Sequence, residues 1–182
     1  MSWSVKTKIL AACALAACGT AGALAWVAEA RARLVAPAPS LFVPDRNGAF
    51  LTQVSAQAGR ADYGYWPLER LPDRVVRATL ALEDRRFHHH PGVDVQALAR
   101  AVWRNARGKA RRSGASTIAM QIARMQHPAP RTWLAKLTEG ATALALTRRY
   151  DRDALLAHYL RLSPYGNGSH GVAHAARFYF DK

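Results

Sequence analysis

Cysteine is almost missing from this chain: its 182 residues contain two, Cys13 and Cys18, and both fall inside one apolar run near the N-terminus. The rest of the chain can form no disulfide, and no Cys/His spacing of the zinc-binding kind occurs. His88, His89 and His90 are consecutive, so their side chains cannot all face one way, and no metal site is expected there. Acidic residues are scarce as well, 12 against 26 Lys and Arg, which leaves a formal net charge of +14. No internal repeat or low-complexity tract is present, so the chain reads as one domain plus an extra segment rather than an array.

Long hydrophobic runs are also few; the one that stands out is the uncharged stretch from Ile9 to Ala28. Lys6 and Lys8 precede it, and Glu29, Arg31 and Arg33 follow it. Twenty helical residues span about 30 Å, the thickness of a bilayer's hydrocarbon core. The expected organisation is a cytoplasmic N-terminus over 1–8, a transmembrane anchor over 9–28, a linker over 29–40 and an outward domain over 41–182. A cleaved signal peptide has a similar short charged start, and Leu15-Ala16-Ala17-Cys18 resembles a lipoprotein processing site. The run continues well past Cys18, which favours the anchor. Positive charge on both flanks specifies orientation only weakly.

Placement of charge matters more than its sum. Between Arg100 and Arg149 there are eleven Lys and Arg and a single acid, Glu139. Such a field attracts polyanions: nucleic acid, anionic lipid or pyrophosphate. No nucleic-acid-binding motif accompanies it, so nucleic acid is not expected as a partner.

Patterning predicts a mainly α domain. Leu41 to Val43 and Ala49 to Val54 flank an Asn47-Gly48 turn and read as a β-hairpin. Residues 55–74 read as irregular. Helices are expected over 73–87, from an Asp94 cap with Val95, Leu98, Ala99, Val102 and Ala106 on one face, from Ser116 or Thr117 to before Pro128, from Thr132 to about Tyr150, from Asp151 to near Pro164, and over 172–180.

Four constellations carry chemistry. The first is Glu83-Asp84-Arg85-Arg86-Phe87-His88-His89-His90-Pro91-Gly92. Val76 and Leu80 share a helix face with Glu83, which points it toward a core or cleft wall. A carboxylate with apolar neighbours has a raised pKa and suits acid/base work, although an acidic pair at a helix end is usually a solvated face. The second is Gly114-Ala115-Ser116-Thr117-Ile118-Ala119-Met120-Gln121, a small-residue loop opening a helix, whose free amides and hydroxyls make either an ordinary cap or an anion cradle. Arg124 follows Gln121 on the same side. The third is Lys136-Leu137-Thr138-Glu139, at the spacing of a surface ion pair. The fourth, Arg152 to Arg161, reads mostly as a core helix, with Leu155, Leu156, Tyr159 and Leu160 packing inward.

In this order these strings resemble the signatures E-D-x-x-F-x-x-H-x-G, G-x-S-T-I-x-x-Q, R-K-x-x-E and K-x-x-I-L-x-x-Y-L-N of the bacterial peptidoglycan glycosyltransferases, or transglycosylases, and lean toward the branch near penicillin-binding protein one-C. The resemblance implies a lysozyme-like, mainly α transglycosylase domain with a small N-terminal β-hairpin behind one transmembrane helix. It implies polymerisation of lipid II into β-1,4 glycan strands, with inversion and release of polyprenyl pyrophosphate. Glu83 would be the catalytic base and Glu139 the second catalytic acid. Asp84, Phe87, His90, Gly92, Gly114, Ser116, Thr117, Gln121, Arg124, Arg131 and Lys136 would bind substrate, with Arg124, Arg131 and Lys136 holding the leaving pyrophosphate. No cofactor is obligatory, although a divalent cation, Mg or Mn, could assist. The implied partners are lipid II, the nascent strand, membrane lipids and a separate transpeptidase. The implied location is the bacterial inner membrane, with the domain on the periplasmic face.

Departures from the family pattern are Ala135 for the Arg of the third signature, and Arg152 and Arg161 for the Lys and Asn of the fourth. The sequence also stops at Lys182, where the family continues with a fifth signature. It therefore reads as a shortened, monofunctional form or as an excerpt. The alternatives are a catalytically silent, membrane-anchored glycan-binding scaffold or a glycan-cleaving lysozyme relative.

Overall fold

The computed structural model of the chain describes residues 4–56, 62–108 and 115–180. Helix α1, Val5–Arg31, starts at Ser4, whose hydroxyl accepts from Thr7 N. It is long and apolar enough to cross a membrane. Its last turn is different: Ala28 is buried, and beyond the helix Ala32 is fully enclosed. Residues 29–40 are therefore not a free linker. Gln126 Nε2 donates to Arg33 O at 2.7 Å, and Gln126 Oε1 accepts from Val35 N at 3.1 Å. The same oxygen lies 2.6 Å from His158 Nε2. An amide oxygen only accepts, so His158 carries its proton on Nε2 and donates. Burial, helped by the charge of Arg161, pushes His158 down to about 4.

Strands β1, Leu41–Pro44, and β2, Phe50–Val54, form the expected antiparallel hairpin, with Leu41 opposite Val54. Asp45 Oδ1 accepts from Asn47 N and Ala49 N, and Gly48 takes φ +84°. The irregular segment hides one short element. Strand β3, Tyr63–Gly64, pairs in parallel with β4, Ser169–His170. Two residues show no period, so this pairing left no trace in the pattern.

The helices follow: α2 Asp73–Glu83, α3 Val95–Ala106, α4 Ile118–Gln126, α5 Trp133–Arg149, α6 Arg152–Leu162 and α7 Val172–Phe180. Asp94, Thr117, Thr132 and Asp151 cap α3, α4, α5 and α6, each accepting from an amide three residues on. Ile118 and Ile122 of α4, Leu146 of α5, and Leu155, Leu156 and Leu160 of α6 make the core, into which Ala28, Ala32 and Phe87 also pack. Each such Leu or Ile contributes about 1.5–3 kcal/mol by leaving water.

One expectation needs correction. Helix α2 stops at Glu83 instead of running to 87, because Asp84 leaves the helical region at φ −157° to turn its carboxylate inward. The apolar face of α3 does not lie in the core. Val95, Leu98 and Val102 are exposed, and Ala101 is the buried residue of that helix. Amphipathic period reports that a face wants cover, not which body covers it.

Gly92 fixes how the loop after α2 meets α5. Its φ is +115°, and a Cβ there would lie 2.5 Å from Ala143 O. Gly92→Ala is expected to cost about 2–3 kcal/mol through strain and that contact, seen as a lowered urea midpoint. A second expectation concerns acid. Between pH 6.5 and about 4 the unfolded chain takes up a proton that folded His158 refuses. Stability should fall as pH drops through that window. His158→Gln should flatten this part of a melting-temperature profile, and an unchanged slope would assign the loss to other groups.

Candidate active site

The loop from Glu83 to Gly92 places its side chains by hydrogen bonding. Asp84 is buried, and its carboxylate accepts from His90 Nε2 at 2.9 Å and from Ile118 N at 3.0 Å. His90 Nδ1 accepts from Gly92 N at 3.1 Å, so the ring proton is on Nε2, facing Asp84. Thr117 Oγ1 donates to Gly92 O and accepts from Met120 N. Arg152 Nη2 donates to His90 O, and its guanidinium lies 5.3 Å from the centre of the Phe87 ring. The first, second and fourth constellations are thus bound into one buried unit.

Of the residues expected to bind substrate, Asp84, Phe87, His90, Gly92 and Thr117 lie in this buried unit. Phe87, His90 and Thr117 are 1%, 5% and 2% exposed. The polar atoms of Asp84, His90 and Thr117 bond within the unit, and Gly92 is pressed against α5. They hold the site together, and Asp84 and Thr117 also line the polar cleft beside it. Gly114 lies outside the described residues.

Glu83 is turned outward beside α4. It is exposed and accepts from Gln121 Nε2 at 2.9 Å. It stands on a ridge between two clefts. The first, about 520 Å³, is mostly apolar and includes Val75, Leu82, Gln121, Met125, Tyr159 and Tyr165. The second, about 400 Å³, is polar and includes Arg85, Arg86, Arg100, Arg104, Ser116 and Thr117. Tyr159, read from sequence as packing, therefore has a face in the first cleft. Burial pushes its phenol up; Glu83 adds to this, while a hydrogen bond from Ser163 and the charge of Arg124 oppose it. Glu83 and exposed Arg124 thus act on the same ring.

Ser116 carries the second cleft to the third constellation. Lys136 Nζ donates to Ser116 Oγ at 2.9 Å and to Glu139 Oε2 at 2.8 Å. The pair expected at a surface is half-buried, with Glu139 16% exposed. Glu83 and Glu139 both approach Ser116, one across the cleft and one through Lys136. Arg131 stays outside this cluster. It is exposed ahead of the Thr132 cap and makes no hydrogen bond or ion pair with the described residues. Arg100 and Arg104 were visible only as members of a basic segment. Their signal was spacing: four apart, they share a side of α3.

No group of three or more His, Cys, Asp or Glu side chains is placed to hold a metal ion among the described residues. The donor set suits a cation poorly, because Glu139 is already paired with Lys136 and Glu83 with Gln121. The second cleft sets four guanidiniums and the Ser116 hydroxyl against the carboxylates of Glu83, Asp84 and Asp94; Asp94 pairs with Arg86 and Asp84 is bonded inward, so Arg85, Arg100 and Arg104 are the cations left to an anion.

Comparison with known proteins agrees with this geometry. The model of the family described as Transglycosylase matches residues 47–182. Penicillin-binding protein 2D of Bacillus subtilis is 36% identical over 152 residues, covering 80% of this chain and 22% of that protein. The biosynthetic peptidoglycan transglycosylase of Yersinia pseudotuberculosis is 32% identical over 150 residues, covering 82% of this chain and 61% of its own. That of Haemophilus influenzae is 32% identical over 151 residues, covering 78% and 62%. The chain thus spans less than two thirds of the length of these relatives.

Asp84→Ala would leave the amide of Ile118 and the ring N–H of His90 without their acceptor inside the core. A loss of about 2–4 kcal/mol is expected, measured by urea unfolding in detergent. A variant as stable as the parent would remove Asp84 from its organising place.

Proposed function

Because this chain belongs to the transglycosylase family, we propose that it polymerises lipid II into glycan strands for the bacterial cell wall. The observation that carries this is Glu83: an outward carboxylate, oriented by Gln121, on the ridge between an apolar cleft and a cationic one. A glycosyl transfer of this kind needs a base for the acceptor hydroxyl and a cationic place for the departing pyrophosphate.

In this reading the donor, a glycan on polyprenyl pyrophosphate, lays its pyrophosphate in the cleft of Arg85, Arg100, Arg104 and Ser116. Lys136 reaches the same place through Ser116, and Glu139 fixes the lysine in position. The acceptor sugar occupies the cleft of Gln121 and Tyr159. Glu83 takes the proton from its 4-hydroxyl as that oxygen attacks the donor's anomeric carbon from the face opposite the leaving group. The carbon–oxygen bond to pyrophosphate breaks, and the configuration inverts. Preset cations at the leaving group lower the barrier by several kcal/mol, since no reorganisation is needed as charge develops. Arg124, felt at Tyr159, supplies its charge on the acceptor side. No step in this reading depends on a divalent cation.

Helix α1 anchors the domain to the membrane in which both substrates dissolve, with the domain on the periplasmic face. A separate transpeptidase would cross-link the product.

Glu83→Gln keeps the shape and the bond to Gln121 while removing the base. Polymerisation of lipid II should fall by about 100-fold or more, with an unchanged melting temperature because the side chain is exposed. Normal turnover by that variant would end the base assignment.

A further inference from the structure

The largest cleft described is not either of those beside Glu83. It measures about 730 Å³ and is walled by the strap that follows α1, with Val35, Pro37 and Ala38 on one side and Met125, Leu162 and Pro164 on the other. Two observations fix its ends. One end lies where α1 finishes: the strap is tied to α4 at Arg33, two residues beyond Arg31, by the bond from Gln126. Two extended residues reach about 7 Å, so this end lies beside the membrane span. The other end touches the acceptor cleft, because Met125 and Pro164 line both cavities. The strap cleft, beginning near the end of α1, thus adjoins the cleft that contains Glu83 at Met125 and Pro164.

We propose that this strap cleft is a subsite for the polyprenyl chain of the acceptor, holding its first isoprene units outside the bilayer while the sugar reaches Glu83. The inference rests on the polymerase reading above and adds the location of the tail. Its chemistry selects the occupant. Val35, Pro37, Ala38, Met125, Leu162 and Pro164 present hydrocarbon, and most of the lining is apolar although Gln126, His127 and His170 also reach it; such a surface suits a branched apolar chain better than a sugar. A phospholipid acyl chain has no reason to extend from this cleft as far as Glu83. A prenyl chain does, because its head is the substrate. Arg124, beside Met125 in sequence and acting on Tyr159 in the acceptor cleft, offers a cation for the pyrophosphate that joins tail to sugar. The Gln126 clasp keeps the wall in place, since both ends of its amide are bonded to the strap.

The test uses the full chain in nanodiscs of phosphatidylethanolamine and phosphatidylglycerol, with a short polyprenyl diphosphate carrying a diazirine on its first isoprene unit. After irradiation, mass mapping should place the label at 35–38 or 125–128, and unlabelled lipid II should compete it away. Label confined to α1 or α3, or equal labelling of the same residues by a diazirine phosphatidylglycerol, would overturn the subsite. Ala38→Trp fills the cleft from an exposed position. It should reduce the labelling at least about fivefold and cut the preference for long-tailed over short-tailed lipid II by about tenfold, given the usual return per buried methylene. A preference left intact would also overturn it. Labelling needs no turnover, so the two readings fail separately. Correct labelling without polymerisation would sink the polymerase and keep the tail site, and polymerisation with misplaced label would do the reverse.

Discussion

One carboxylate organises the site. Asp84 reaches back from the end of α2 to accept the ring proton of His90 and the amide of Ile118, the first residue of α4. These bonds join two segments 34 residues apart. They also explain why α2 ends where it does. Once Asp84 turns inward, its neighbour Glu83 is left at the helix terminus facing out, within reach of Gln121 from the same α4. The buried acid and the exposed acid are consecutive in sequence and opposite in task. The first is enclosed and fully bonded, so it costs little to bury. The second stays wet and available.

The remaining parts serve that arrangement. Arg152 closes over the loop from α6, touching His90 O and the Phe87 ring. Thr117 is at once the cap of α4 and the donor to Gly92 O. The cations divide in two. Arg85, Arg86, Arg100 and Arg104 gather around the polar cleft, whereas Arg124 lies on the side of Tyr159. A net charge read from composition becomes a direction only when α3 and α4 set its members on different sides of Glu83.

Much of this was legible in the chain. The caps Asp94, Thr117, Thr132 and Asp151 mark helix starts with a side-chain acceptor, and each start was found. The hairpin announced itself at Asn47-Gly48, and the pair of Lys136 with Glu139 at its three-residue spacing. What escaped depends on distant partners. The β3–β4 ladder is two residues long and joins segments about a hundred positions apart. The inward roles of His90 and Phe87 look, in a string, just like binding roles, because the same residue types serve both. The exposure of α3 and the docking of the strap by Gln126 are facts about which surface meets which, and a helical period is silent on that.

The amide of Gln126 holds both faces of the peptide backbone just past α1, so the domain has no slack on its tether. It cannot swing like a ball on a chain. Glu83 therefore sits at a set elevation and a set azimuth relative to α1, a stationary carboxylate and not one carried on a moving arm.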